Sequence, residues 1–189
     1  IADILQAPFT VADYFTDLYH SITDFSVLSG ALGRYHASEL TATANYAAIT
    51  DATLALTVQY THELHLHCAN LIVGQLARIS IDTSYAAFDD AEAAVNIAAG
   101  YIDAVAPYSN SAQVAVLADM QAQLVSAVLD TDQQLPRLKD FVPPCVMSAD
   151  EIAQYLYQDG TRAAEIVARN NVQHPGFIGP DQILRVLEV

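Results

Sequence analysis

The sequence has little positive charge, few cysteines and no tryptophan. Its 189 residues include seven Lys or Arg against 22 Asp or Glu, which gives a formal net charge of −15 at pH 7. Such a charge repels phosphate backbones, because proteins bind DNA largely by neutralising phosphates with cations, and we therefore expect no nucleic-acid partner. The acidity either keeps an Ala-rich surface soluble or faces a basic partner surface, and the composition leaves both open.

Two cysteines, Cys68 and Cys145, are the whole thiol content of the chain. They lie far apart and form no C-x-x-C pair, so neither a disulfide framework nor a zinc pattern is indicated. Buried thiols in a reduced compartment are the simplest interpretation.

Long hydrophobic runs are also missing from the sequence. No uncharged apolar stretch reaches the roughly 20 residues of a membrane span, and no basic segment precedes an apolar one at the start. We therefore expect no membrane partner and no secretion signal. Because the first residue is Ile1 rather than Met, we expect the chain to begin inside a longer protein.

Motifs of catalysis and cofactor binding are absent as well: the sequence has no G-x-S-x-G, no P-loop and no G-x-G-x-x-G. The run Thr61–Cys68, THELHLHC, is not H-E-x-x-H, since its second His follows three positions after the first rather than four. Its histidines are expected to be ordinary polar or interface positions, and an interface of this kind could respond to pH. The prediction is no catalytic residue, no cofactor, no metal site and no enzyme.

What the sequence does contain is a high share of hydrophobic residues, 53%, arranged mostly at helical spacing. An apolar face at Tyr14, Leu18, Ile22 and Phe25 predicts a first helix that ends at the glycines 30 and 33. The segment 38–79 predicts either one long helix from about Ala44 or two helices separated at Thr50-Asp51, since both residues can cap a helix.

Two further helices are predicted before residue 134. The first runs from about Tyr85 to Val105, and its acids Asp89, Asp90 and Glu92 are expected to be a solvated helix start. The second begins at a capping pair, Asn110 with Gln113, and ends near Thr131. Short connections predict antiparallel neighbours.

The segment 148–189 has a different layout. Ser148 and Glu151 form a capping box, Asp159-Gly160 predicts a break through a positive φ at Gly160, Thr161 is a candidate N-cap, and Asn170-Asn171 predicts the second helix end. Strands are predicted at Leu138–Val142 and at Ile183–Leu187. The acid Glu165 is expected to pair with Arg169 at a spacing of four.

Two nested resemblances follow from these residues. The layout β-α-α-β resembles a LysM module. More specifically, the run YLYQDGTRAAEIVARNNVQHPGFI is similar to the C-terminal end of the tail proteins of Mu-like phages that are called DNA circularisation proteins. The positions that match the pattern of that family are Tyr157, Arg162, Ala163, Ile166, Arg169, Asn170, His174, Pro175, Gly176 and Phe177. The Gly-Asp pair of the family is replaced here by Gln158-Asp159-Gly160.

The helical periodicity predicts a mainly α fold, with an antiparallel helical hairpin or bundle at residues 1–134 followed by a small α+β module at 135–189, which the resemblance makes a LysM-like βααβ module. The resemblance also implies an upstream domain, which we expect to precede this chain. The expected function is structural, in a contractile phage tail at the baseplate hub or tube–baseplate junction, with other tail proteins and copies of itself as partners. The expected location is the virion, assembled in the host bacterial cytoplasm.

The residues expected to dock are His174, Pro175, Gly176, Phe177, Arg162 and Arg169. The turn Pro175–Phe177 is equally explained as a loop with a core anchor. Two alternatives stay open: a DNA circularisation protein that travels with injected genome ends, as the family name suggests, and a peptidoglycan-binding module, as a LysM layout suggests.

Overall fold

The structure, a computed structural model, describes residues 22, 24–130 and 135–188. The described chain is mostly helical with one two-stranded antiparallel sheet, which confirms the prediction of a mainly α protein. It divides into two compact units, one of residues 1–84 and 91–131, the other of residues 85–90 and 132–189. The predicted helical face at Tyr14 and Leu18 lies outside the described residues.

In the described part of the first unit, a short helical turn, Phe25–Val27, continues through a π-helical turn, Leu28–Leu32, into helix α1, Gly33–Thr43. The prediction that Gly30 and Gly33 end a helix is therefore wrong. Gly33 is buried inside the helix, and a Cβ built there would lie 2.7 Å from the Tyr101 ring. The glycine permits a close approach between helices rather than a chain reversal.

Helix α2, Ala52–Asp82, is the longest element, about 46 Å at the usual rise per residue. The alternative with a break at Thr50-Asp51 is confirmed, because the Asp51 side chain accepts a hydrogen bond from the Leu54 amide at 2.8 Å and caps the helix. One continuous helix from Ala44 is wrong, since a 3-10 turn, Tyr46–Ala48, and the residues after it separate α1 from α2.

Two more helices are described in the first unit: α3, Phe88–Val105, and α4, Ser111–Val125, which continues as a π-helical turn to Asp130. Both bonds of the predicted capping box between Asn110 and Gln113 are present, each at 3.0 Å. Helix α2 packs against α1 and α4. One buried cluster joins all four helices: Leu40, Ala69, Val73, Ile102, Val105 and Leu117.

The second unit follows the order β1, Leu138–Phe141; α5, Ala149–Tyr157; α6, Ala163–Asn170; β2, Leu184–Leu187. The strands pair antiparallel from Leu138 opposite Leu187 to Phe141 opposite Leu184. The first turn of α3 belongs to this unit by its contacts. The helices and β2 bury one apolar cluster: Ala149, Ile152, Ala153, Ile166, Ile178, Leu184 and Val186.

The ends of α5 and α6 follow the sequence in part. The predicted capping box at Ser148 and Glu151 is confirmed, and Asn171 ends α6 with a φ of 50°. The break between the helices is different from the prediction. Gln158 adopts the left-handed conformation, with a φ of 58°, and no described glycine has a positive φ. Asp159, not Thr161, caps the next turn, because its carboxylate accepts bonds from the Thr161 amide and hydroxyl.

The close approach at Gly33 gives a stability prediction. Gly33→Ala should destabilise the protein by about 1–3 kcal/mol, because the added methyl meets both the Tyr101 ring and the Leu28 carbonyl oxygen. Thermal denaturation monitored by circular dichroism measures the change. The matched control is Gly100→Ala in α3, where a Cβ meets nothing within 4 Å and the gain in helix propensity is up to about 1 kcal/mol. An unchanged melting temperature for Gly33→Ala would contradict the packing.

Candidate docking surface

The first two motif residues lie in a cluster of their own at the end of α5. The Arg162 guanidinium lies 3.7 Å from the centroid of the Tyr157 ring and donates two hydrogen bonds, at 3.0 and 2.9 Å, to one oxygen of Glu165. The Tyr157 hydroxyl accepts a bond from the Leu187 amide of β2 at 2.9 Å. Burial raises the pKa of the Tyr157 phenol, so the ring stays neutral beside the guanidinium.

Asn170, the last residue of α6, is bonded to the outer edge of β2. Its amide oxygen accepts from the Arg185 amide at 2.7 Å, and its amide nitrogen donates to the Arg185 carbonyl at 3.0 Å. The same nitrogen donates to the Ile166 carbonyl at 2.9 Å. The side chain therefore makes the pair of bonds that a neighbouring strand would make, and it satisfies this position of the sheet edge.

The predicted ion pair between Glu165 and Arg169 is not formed, because the Glu165 carboxylate pairs with Arg162. Nη1 of Arg169 instead donates to both oxygens of Asp90 at 3.0 and 2.9 Å, and the Arg169 side chain is 17% exposed. The carboxylate of the neighbouring Asp89 accepts a hydrogen bond from the Leu138 amide at 2.8 Å, and its other oxygen lies 3.8 Å from Nη2 of Arg185. The two acids are thus structural partners, not a solvated helix start.

This role of Asp89 and Asp90 was missed because both acids precede their partners by 49 or more positions in the chain. Acids in the first turn of a helix have a sufficient local explanation in the helix dipole. No local pattern distinguishes that explanation from a long-range ion pair.

The remaining motif residues form a loop on the surface of the second unit. The Pro175 carbonyl accepts from the Ala149 amide at 2.7 Å, and the Phe177 amide donates to the His174 carbonyl at 3.0 Å. Ile178, which is fully buried, bridges to Met147. Phe177 itself is 78% exposed, so the explanation of this residue as a core anchor is wrong and Ile178 fills that position.

A cleft of about 330 Å³ lies between this loop and the start of β2. It is lined by four amide side chains, one imidazole and apolar groups, and carries no Asp, Glu, Lys or Arg: Asn170, Asn171, Val172, Gln173, His174, Phe177, Gln182, Ile183 and Leu184. Ile183 is 67% exposed beside Phe177 in this lining. In a chain of such high net charge, a cleft without formal charge suits neutral polar or apolar groups.

Of the six residues predicted to dock, the structure brings four together in the loop His174–Phe177. The other two, Arg162 and Arg169, have their charges compensated within the unit by Glu165 and Asp90. Docking through any of these residues stays a prediction.

The histidine-rich run lies on α2 in the first unit. His62 and Cys68 are buried, His65 contacts His36 of α1, and His67 is exposed. Within residues 24–130 and 135–188, no group of three or more His, Cys, Asp or Glu side chains is placed to hold a metal ion.

One stretch of the described chain, Ser111–Asp130, is long and apolar enough to span a membrane by length and composition, with a mean hydropathy of 1.4. Only 17% of the window is buried in the described chain, at Leu117, Leu124 and Val128, and one such stretch is weak evidence for a membrane span. The expectation of no membrane partner stays a prediction.

No protein-family model matches the chain, and no curated protein matches it.

The bonds of Asn170 predict a measurable loss of stability. Asn170→Ala should cost about 1–2 kcal/mol, because the Arg185 amide and carbonyl lose their partner at a partly exposed edge. Urea unfolding followed by circular dichroism gives the difference. Gln173→Ala, an exposed amide in the same loop region, is the control and should change stability by less than about 0.5 kcal/mol. Equal effects of the two substitutions would remove the edge-pairing role.

Proposed function

We propose that the chain is a structural component of a contractile phage tail, at the baseplate hub or at the tube–baseplate junction, and that it acts by protein–protein assembly. In this proposal the second unit is a LysM-like docking module and the first unit is a helical scaffold. The partners are other tail or hub proteins and further copies of the chain, and no reaction is catalysed.

The observation that carries the proposal is that the two halves of the run YLYQDGTRAAEIVARNNVQHPGFI have different structural roles. Tyr157, Arg162, Arg169 and Asn170 each make a defined contact that holds the second unit together. The run then ends in the exposed loop His174–Phe177. A pattern whose first half builds a fold and whose second half lies on the surface supports a docking module better than a buried reaction centre.

The charge supports a partner surface that is neutral at its centre and basic at its rim. The cleft beside Phe177 has no formal charge, whereas the chain as a whole carries −15. Long-range attraction would therefore bring a basic partner surface toward the chain, and apolar contact at Phe177 and Ile183 would hold it.

Particle composition tests the function directly. Mass spectrometry of purified tails from the host that encodes the chain should find it at a fixed ratio to the tube and baseplate proteins. Its absence from intact tails would reject the proposal. A gel shift at low salt tests the alternative role in DNA circularisation, which requires DNA binding that the net charge opposes.

The loop gives a specific variant for the same particles. Phe177→Asp should fold normally, because the side chain is 78% exposed, but should be lost from tails at least tenfold relative to the wild type, since a charge in an apolar contact is costly. Phe177→Leu keeps an apolar group and is the matched control, with incorporation near that of the wild type. Normal incorporation of the aspartate variant would exclude the loop from docking.

A second candidate function, peptidoglycan binding, is favoured by the lining of the same cleft. Amide side chains beside an exposed aromatic ring are suited to a neutral sugar, which needs hydrogen bonds and a flat apolar face. Sedimentation with purified cell walls tests it: retention in the pellet that Phe177→Asp abolishes would favour glycan binding. Recovery of the wild type only in the supernatant would exclude it.

A further inference from the structure

Helices α1 and α2 meet through two imidazole rings. The Nδ1 atoms of His36 and His65 lie 2.9 Å apart, and the ring centroids are separated by 5.1 Å. His36 is 7% exposed, and the His65 side chain is 12% exposed. At this distance one ring donates an Nδ1–H to the Nδ1 lone pair of the other, so the two rings must adopt complementary tautomers.

Among the described residues, titratable groups from both helices surround the pair. Tyr35 of α1 sets its ring edge-on to both imidazoles, at 5.2 and 5.6 Å between centroids. Glu39 of α1 places a carboxylate oxygen 3.9 Å from Nε2 of His65. From α2, His62 and Glu63 lie within one turn of His65.

A second imidazole of α2, that of His62, also forms a hydrogen bond to a side chain of α1. Its Nδ1 lies 2.8 Å from the Thr43 hydroxyl, which donates its own proton to the Glu39 carbonyl at 2.7 Å. His62 is therefore the donor, and it remains so in either protonation state. Tyr46, and Tyr108 from the 3-10 turn after α3, set their rings against it at 5.6 Å. Burial lowers the pKa of His62, with a smaller opposing effect of the Glu63 carboxylate.

Proton counting shows what acid does to the pair. One added proton keeps the contact, since a protonated ring still donates through Nδ1 to the Nδ1 lone pair of the neutral ring. A second proton leaves no acceptor between the rings, and two N–H groups with like charge face each other in a buried position.

We propose that the facing imidazoles of His36 and His65 are an acid-sensitive latch, which releases α1 from α2 in mild acid while the second unit keeps its fold. The contacts of the second unit are made by arginine, carboxylate and side-chain amide groups, and its histidine, His174, is exposed on a loop. None of these contacts depends on an imidazole.

The direction of the pH effect on stability follows from the lowered pKa of His36. Burial first, and the charge of His65 second, lower the pKa of His36 from 6.5 to about 4. A chain in which His36 is released from the contact therefore binds more protons than the native protein between these values. Stability from this group is fully present above pH 6.5 and falls as the pH drops from 6.5 toward 4.

Hydrogen exchange of the full chain at pH 7.5 and pH 5.0, corrected for intrinsic exchange rates, tests the latch. The ratio of open to closed states for α1 should rise about thirtyfold at pH 5.0, if opening transfers His36 to water. Peptides of residues 163–170 should keep their protection. Equal loosening of both units, or unchanged protection of α1, would overturn the proposal.

Substitutions separate the latch from general acid sensitivity. His36→Phe should abolish the extra opening of α1 at pH 5.0, whereas His67→Gln, at an exposed position of α2, should keep it. Should the phenylalanine variant fail to fold, the NMR titration of the wild-type His36 ring decides. Titration near pH 6.5 with α1 still protected overturns the latch, and titration well below pH 6 that coincides with α1 opening supports it.

Discussion

The second unit depends on closing the edges of a two-stranded sheet. Such a sheet has no interior strand, so every outward amide and carbonyl must find a partner outside the ladder or remain in water. On β2, the Asn170 side chain bonds to both backbone groups of Arg185, and the Tyr157 hydroxyl takes the Leu187 amide. On β1, the Asp89 carboxylate takes the Leu138 amide. Three side chains thus form the hydrogen bonds at the sheet edges that further strands form in a larger sheet. They also hold α5, α6 and the first turn of α3 against the sheet.

This use of side chains explains why the charged residues of the unit are poor candidates for free docking groups. Arg162 stacks on Tyr157 and bonds to Glu165, and Arg169 bonds to Asp90. Their charges are compensated, and removing either would disturb the fold before it disturbed a partner. What remains accessible is apolar or neutral, above all Phe177 and the amide-lined cleft beside it. Recognition at this surface would be governed by shape and hydrogen bonding, with net charge affecting the rate of encounter.

Three helix caps, each encoded within four residues, could be predicted from the sequence, whereas the equally local break between α5 and α6 could not. Asp51, Asn110 and Ser148 each cap the helix that follows them, because a short polar side chain beside an apolar run has few other uses. Features that depend on distant partners could not. In the sequence Gly33 is typical of a helix end, and only the structure shows its close approach to the Tyr101 ring. Asp90 is typical of a solvated helix start, and only the structure shows its ion pair with Arg169. The loop was located by motif, but the exposure of Phe177 and the burial of its neighbour depend on packing.

The scarcity of cations explains how the first unit joins its helices. Residues 1–84 and 91–131 contain only two Lys or Arg, Arg34 and Arg78, and the Arg78 contact with Asp82 is an exposed pair within one helix. Salt bridges between the described helices of this unit are therefore scarce, and their polar contacts are made mainly by hydroxyl, phenol and imidazole groups. These contacts join the side chains of Thr43 and His62, those of Thr41 and Tyr108, and the imidazole rings of His36 and His65. Contacts between neutral groups are insensitive to ionic strength, but those with an imidazole respond to protons. An acidic chain that uses few lysines and arginines thereby places groups that respond to pH at the contacts between its helices.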